Sequence, residues 1–352
     1  DSHYNFTLGR IRTSFRKPQH PLRWDLKATM EETFAEKRTL VYDSVGVGLG
    51  DFRYDEEFNE YVSDPNGEYI AYTIFTGDRQ PATKLDGLQL LEIDFSKTNS
   101  KALKNVSLRS ELRSTIEGYI STAYSFISPG LGDTTIFMSK WSLRNEMIYK
   151  PRELKKMIKV WHRRSRNLDG LDSRGQDLKQ NDEAGIEYRK TIFDNFTMEY
   201  RWKYHNDKIE STVSELRERS VNGHWFEGTA KIRVDQWQFD MGLKYGIDHG
   251  FMRDQEFTAD AVSLSADVLK FVGTRGRIQS RFEWYHTEVS DQLDYLPPES
   301  LNGLAQGITL RSNLQGQWLI GRGFSLNLSM NYISDQRYDN FLTLNGEVRA
   351  YF

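Results

Sequence analysis

Seven histidines and no cysteine limit the chemistry that this 352-residue chain could perform. Without cysteine there is no disulfide, no thiolate metal site and no cysteine nucleophile. Asp248 and His249 form the only adjacent acid–histidine pair, a combination that can serve in general acid–base hydrolysis. Gly250 follows, so a loop with an Asp-His-Gly turn is the simpler interpretation of the same residues.

Two further groups of residues resemble reactive sites only superficially. Ser280 and His286 share an apolar strand face, as a lipid hydrolase would need, but they are too far apart in sequence for a hydrogen bond along one strand. The glycines of 46–50 have the look of a phosphate-binding loop, yet no helix and no Lys-Ser/Thr pair follows them. We therefore expect no catalytic residues, no metal site and no cofactor, and predict that the protein is not an enzyme.

The composition excludes several classes of protein. Lys and Arg number 47 against 50 Asp and Glu, and the resulting net charge of −3 is evenly mixed along the chain, which argues against nucleic-acid binding. The content of Trp, Tyr and Phe, 13%, is too high for a disordered chain. The longest stretch without Asp, Glu, Lys or Arg is 118–132, shorter than the about 20 apolar residues of a transmembrane helix.

Apolar and polar residues alternate with period two along most of the chain, which is the pattern of half-buried strands. From Leu342 to Phe352 the even positions are apolar or glycine and the odd positions are mainly polar. The same alternation fills 324–332, 237–245 and 196–204. Each segment therefore predicts a long strand with one apolar face that carries aromatic residues.

Connection lengths give an independent signal. Tight turns such as 321–323 alternate with long polar connections at 165–183, 206–221, 248–256 and 290–305. A soluble β-sandwich with exposed aromatic faces remains the alternative, but transmembrane barrels require short periplasmic turns, longer outer loops and aromatic girdles. We predict an all-β fold: a transmembrane antiparallel β-barrel of about 14–16 strands, with an extracellular hairpin insertion. An even strand number would put both termini in the periplasm.

The segment 46–83 departs from the regular alternation. A turn signal at 64–67 lies between β-prone residues, which predicts a hairpin. We expect residues 1–45 to hold the first barrel strands, with separate strands at 22–34 and 38–48. Residues 46–83 are expected to form a surface-exposed hairpin, and 84–352 to form the main barrel.

The polar faces of these strands carry charges of both signs. A lumen of mixed sign is typical of interstrand ion pairs or a plugged interior, whereas an open anion pore needs a basic ring at a constriction. The residues expected to face the lumen, and to line a pore if one exists, are Arg201, Lys203, Lys231, Arg233, Lys244, Arg281, Arg311, Arg349, Glu199, Asp240, Glu283 and Glu347.

The C-terminal aromatic Phe352, preceded by Ala350, Val348 and Leu344, resembles the terminal insertion signal of bacterial outer-membrane β-barrels. That resemblance implies recognition by the barrel-assembly machinery and residence in the outer membrane. Segments 50–55 and 61–69 resemble parts of large uncharacterised surface proteins of Bacteroidetes-like bacteria, near their C-terminal barrels. Outer-membrane proteases of the omptin type use an Asp–His pair at the barrel rim, but the further acidic pair cannot be assigned here.

The loop at 290–305 is too apolar for a merely solvated connection. Leu293, Tyr295, Leu296, Leu301 and Leu304 either bind a partner or fold inward as a plug. We predict a membrane anchor or structural component of a cell-surface assembly; the alternatives are a passive pore for small solutes and, least favoured, an integral hydrolase. The expected partners are outer-membrane lipid, the barrel-assembly machinery and other surface or outer-membrane proteins, without nucleic acid.

Overall fold

The computed structural model describes residues 7–56, 59–100, 103–119, 131–151, 155–252, 255–290, 296–320, 323–336 and 340–350. Within these ranges the chain forms seventeen strands and three one-turn 3-10 helices. The strands are β1 (Leu8–Arg16), β2 (Leu22–Ser44), β3 (Gly50–Asp55), β4 (Glu60–Gly67), β5 (Tyr69–Asp94), β6 (Val106–Gly118), β7 (Ile136–Tyr149), β8 (Lys156–Asp169), β9 (Asp177–Phe193), β10 (Phe196–Ser211), β11 (Arg219–Val234), β12 (Trp237–Met252), β13 (Gln255–Val272), β14 (Gly276–Val289), β15 (Gly307–Ile320), β16 (Phe324–Ser334) and β17 (Phe341–Ala350). The 3-10 turns are Phe95–Lys97, Glu215–Arg217 and Leu301–Gly303, and none of the described helices could span a membrane.

Antiparallel pairing of successive strands builds one sheet. β1 pairs with β2, β2 with β5, and each strand from β5 to β16 with the next one. β3 and β4 form a short hairpin between β2 and β5, and Phe52 of β3 lies opposite Tyr69 of β5. The predicted all-β antiparallel fold class is confirmed, with fifteen strands in the main ladder of the described residues and a hairpin insertion.

The longest strands are β2 and β5, with 23 and 26 residues, which pair along their whole length. The expected break between strands at 22–34 and 38–48 is wrong: a register shift between Glu36 and Arg38 keeps one strand running through. This irregularity absorbs two extra residues of β5 without ending the pairing. Residues 69–83, expected in the hairpin, belong to β5.

The direction of the strands defines two ends of the sheet. Connections such as 17–21 and 194–195 lie at the short-connection end, and β17 also finishes there. The ladder of described residues holds fifteen strands, and because this number is odd, β1 begins at the opposite end from the one where β17 finishes. No ladder pair in this part of the chain joins β17 to β1. The terminal residues 1–6 and 351–352, including Phe352, lie outside the described ranges.

Alternation along each strand gives the sheet two unlike faces. Across the β10–β11 pair, Trp202 lies opposite Phe226 on one face and Arg201 lies opposite Glu227 on the other. A one-residue slip would move every side chain to the wrong face, so the segregation of charge fixes the register.

The charged face is the concave one. Arg38 of β2 forms an ion pair with Asp169 of β8, although three strands of the ladder separate them. We call the space on this side the lumen. Near the long-connection end it holds an apolar cluster from β11 to β14 and the segment 296–305, consisting of Val221, Met252, Phe257, Ala259, Ala261, Tyr285, Leu296, Leu301 and Leu304.

Candidate functional site

The adjacent Asp248 and His249 lie inside β12, not in a loop as the sequence predicted. Consecutive strand residues point to opposite faces. Asp248 is directed into the lumen and is fully buried, whereas the Nδ1 of His249 contacts the hydroxyl of Thr258 at 3.0 Å on the outer face. The pair therefore cannot act together on one substrate.

The carboxylate of Asp248 is instead the centre of a buried hydrogen-bond network. Its Oδ2 accepts from the backbone N–H of Leu301 at 2.8 Å and from the hydroxyl of Ser300 at 3.1 Å. Its Oδ1 lies 2.9 Å from Nε2 of His205. The facing position on β11 is Gly223, where a Cβ would lie 1.9 Å from that Oδ1. Glycine is needed at this position for the carboxylate to fit.

The ring of His205 lies between two carboxylates and is only 3% exposed. Its Nδ1 is 2.8 Å from Oδ2 of Asp207, and its Nε2 contacts Asp248. Ionised carboxylates accept hydrogen bonds only, so both ring nitrogens donate and the ring is an imidazolium. An imidazolium with both N–H groups engaged cannot accept a proton, so the network stabilises structure and does not supply a general base. Sequence reasoning missed this site because its members come from distant strands.

The segment 296–305, which we call the plug, folds into the lumen. Leu296, Leu301 and Leu304 are each at most 2% exposed. Arg219 holds the plug through a bidentate ion pair with Glu299, with N–O distances of 2.7 and 3.0 Å. The burial matches the inward alternative for this loop; Leu293 and Tyr295 lie outside the described residues.

The hairpin of β3 and β4 also turns toward the lumen. Glu60 at the start of β4 accepts from Arg217 at 2.9 Å and from the hydroxyl of Ser214 at 2.9 Å. Arg217 also donates to Asp177 at 2.9 Å, and Val62 packs against the apolar cluster that contains the plug. The hairpin, expected to be exposed at the surface, is thus partly covered by the plug and by the β10–β11 connection.

All twelve charged residues expected to face the lumen lie on the concave face, as the strand registers place them. Eight of them form ion pairs within the described part of the chain; Lys231 and Glu199, for example, lie 2.9 Å apart. Arg311 lies 5.9 Å from the ring centroid of Tyr285, and its Nε and one terminal nitrogen are buried and have no hydrogen-bond partner among the described residues. Apart from Arg349 and Glu347, which pair within β17, these ions cross-link neighbouring strands.

The remaining sequence candidates are not brought together. Ser280 and His286 share the outer face of β14, six positions apart, and His286 contacts Glu288 at 3.2 Å. The glycines at 46–50 lead into β3 and not into a helix. In the described ranges, no group of three or more His, Asp or Glu side chains is arranged to hold a metal ion.

The β8–β9 connection, 170–176, docks on β2 at the long-connection end. The N–H of Arg38 donates to the carbonyl of Leu171 at 2.9 Å, and the N–H of Ser173 donates to the carbonyl of Arg38 at 3.1 Å. Burial alone would raise the pKa of Asp172, but hydrogen bonds from Arg174 outweigh it and hold that pKa below the usual value. The carboxylate is therefore ionised in the folded connection.

The outer face is apolar over a wide area. Half-exposed side chains such as Met241, Leu243, Leu264 and Leu328 cover it, far beyond the single exposed apolar residues of a soluble surface. Aromatic residues occur along much of this face. They include Phe196, Phe239, Trp318 and Phe324 near the short connections, and Tyr200, Trp202, Tyr204, Phe226, Tyr245, Phe282 and Trp284 farther along the strands.

No family model and no curated protein matches this sequence. Among solved structures, a loop-L8 deletion mutant of OmpT, an outer membrane protein of Vibrio cholerae, has a TM-score of 0.40 and 10% identity, covering 92% of this chain and 99% of that one. CdiB from Acinetobacter baumannii has a TM-score of 0.43 and 7% identity, covering 90% of this chain and 60% of that one. A mutant of the ferric enterobactin receptor PfeA of Pseudomonas aeruginosa has a TM-score of 0.45 and 10% identity, with 94% and 53% coverage. The fold class therefore rests on the strands and registers described above.

Proposed function

We propose that this chain is a bacterial outer-membrane β-barrel with a lumen closed by its own plug and hairpin, and that it acts as a membrane anchor or structural component of a cell-surface assembly. The observation that carries the proposal is the burial of the plug, held by Asp248 and Arg219. A solute channel needs a continuous aqueous path, and a plug fixed by charged hydrogen bonds opposes one.

The membrane location is supported by the chain itself. The apolar outer face, its many aromatic residues and the concentration of longer connections at one end are the features of transmembrane barrels. We place the long-connection end outside the cell. The end of β17 is then periplasmic, whereas β1 begins at the outer end of the ladder, so the expectation of two periplasmic termini does not fit the fifteen ladder strands of the described residues. The connections at 170–176 and 212–218, together with the outer side of the β3–β4 hairpin, are the surface offered to other surface proteins.

A passive pore is the second candidate, because below the plug the lumen is lined by charged side chains that water can solvate. Planar-bilayer recording of the protein purified in detergent separates the two functions. The anchor proposal expects no steady current steps, while a variant lacking 296–305 should conduct. Steady open-channel steps from the unaltered protein would overturn the anchor proposal. Co-purification in mild detergent then identifies the assembly.

A further inference from the structure

The lumen contains a cavity of about 170 Å³ with the plug as one of its walls. A cavity of this volume is several times larger than the space that one water molecule needs. It therefore admits one small ring-shaped molecule. Its walls are Arg201, Lys203, His205, Trp225, Glu227, Lys244, Tyr285 and, from the plug, Glu299 and Leu301. The charge of Glu299 is balanced by its ion pair with Arg219.

The two lysines of the cavity have loose ion pairs. Nζ of Lys203 is 3.8 Å from Glu183, and Nζ of Lys244 is 3.8 Å from Glu227. Both distances exceed those of a hydrogen bond. Lys231, in the same lumen but outside the cavity, approaches Glu199 to 2.9 Å. The cavity lysines thus keep N–H donors that these carboxylates do not use.

The charges around the cavity do not cancel. In the described ranges, the ion-pair network of the wall contains six cations that share four carboxylates. The cations are Arg163, Arg189, Arg201, Lys203, Lys231 and Lys244, and the carboxylates are Glu183, Glu187, Glu199 and Glu227. The imidazolium of His205 and its two aspartates together add a net charge of −1 to this sum. One positive charge is left, and a single carboxylate would neutralise it.

Two aromatic rings supply an apolar part of the wall. Trp225 is held close to β12 because the facing residue is Gly246, where a Cβ would lie 2.6 Å from the indole. Tyr285 is 8% exposed. Aromatic walls with a few polar groups are typical of sites for small molecules, since the ring faces bind C–H surface and the polar groups fix orientation.

We propose that this cavity binds a small organic anion with one carboxylate on a ring-shaped body, the chemistry of a sugar acid. The carboxylate lies among Arg201, Lys203 and Lys244, and the ring lies against Trp225 and Tyr285. Binding at this site is independent of the anchoring function and requires no conduction through the plug.

Isothermal titration of the folded protein in detergent tests the site, with glucuronate as the probe and glucose as its uncharged counterpart. Glucuronate should bind at least tenfold more tightly than glucose. Lys203→Met and Lys244→Met should each weaken glucuronate binding at least tenfold. Trp225→Leu should also weaken glucuronate binding, although it leaves the charge of the cavity unchanged. Arg233→Met removes a cation of the same lumen that belongs neither to the cavity wall nor to the ion-pair network described above, so it should change the affinity less than twofold.

Heat-modifiable migration on gels establishes that each variant is folded, and Lys203→Arg, which keeps the charge, should retain binding if Lys203→Met does not fold. No binding of glucuronate, equal binding of glucose, or an equal loss in Arg233→Met would overturn the proposal. Inorganic phosphate that binds as tightly as glucuronate would overturn the assignment of the ring to the aromatic wall.

Discussion

Leu301 donates its backbone N–H to the carboxylate of Asp248 at 2.8 Å, although 53 positions separate the two residues. This contact joins the first residue of the plug's 3-10 turn to the wall of the lumen, and the hydroxyl of Ser300 reaches the same oxygen. Because Asp248 has no exposed surface, water cannot replace these donors. The position of the plug therefore depends on this carboxylate together with the Arg219–Glu299 ion pair.

Asp248→Ala should release the plug. The substitution removes the acceptor for Leu301 and Ser300 and leaves the imidazolium of His205 with one buried partner fewer, a loss of about 3–5 kcal/mol for a broken buried pair. Hydrogen exchange at the Leu301 amide should accelerate, and protease should cut within 296–305. His249→Ala is the matched control, because that neighbour points to the outer face. Equal exchange at Leu301 in the two variants would contradict the assignment.

Arg217→Met should loosen the β3–β4 hairpin. Arg217 is 16% exposed and donates to both Glu60 and Asp177, and hydrogen bonds of charged groups contribute about 1.5–3 kcal/mol. The amide of Val62 should exchange at least tenfold faster in the variant. Arg233→Met, on the same face but exposed near the short-connection end, should leave that exchange unchanged. The hairpin is held by other contacts if Arg217→Met also leaves it unchanged.

The strands with an apolar outer face could be predicted from sequence because their two faces meet different surroundings. In β10 the alternation from Phe196 to Tyr204 is strict, and the structure places a strand there. The same strand continues to Ser211, where polar residues such as Asn206 and Lys208 follow on the outer face. Without an apolar outer face, polar and apolar residues do not alternate along 206–211, so the sequence predicted a loop there.

The site could not be predicted in the same way. Asp248-His249-Gly250 has the composition of a turn, but it pairs with β11 and β13 as part of β12, and the facing Gly223 and the distant plug accommodate its carboxylate. Local composition does not contain contacts 53 positions away, so tertiary structure overrides it. The apolar character of 290–305 did indicate a buried or bound loop, but the direction of folding depends on Asp248 and Arg219.

Leu328→Arg tests the assignment of faces. Leu328 is 47% exposed on the outer face of β16, between Gly316 and Gly346 on the neighbouring strands. A charge at the bilayer midplane costs about 2–4 kcal/mol in a transmembrane barrel. Folding into lipid vesicles, followed by heat-modifiable migration, should fall in yield for Leu328→Arg. Asn327→Arg places the same charge on the concave face and should fold much better; equal yields would refute the assignment of faces.

Acid should detach the β8–β9 connection from β2 through Asp172. Its pKa is lowered in the folded protein by hydrogen bonds from Arg174, so the stabilisation is complete above the ordinary aspartate pKa of about 3.9 and is lost as the pH falls through the lowered value. Protection of the Ser173 amide, corrected for the intrinsic exchange rate, should therefore be constant from about pH 5 to 7 and decrease in stronger acid. Asp172→Asn should give low protection throughout this range. Asp194→Asn removes another aspartate whose pKa is lowered, by Lys155 at the opposite end of the sheet, and should preserve the profile of the unaltered protein. A profile for Asp172→Asn that follows the unaltered protein would assign the acid sensitivity to a different group.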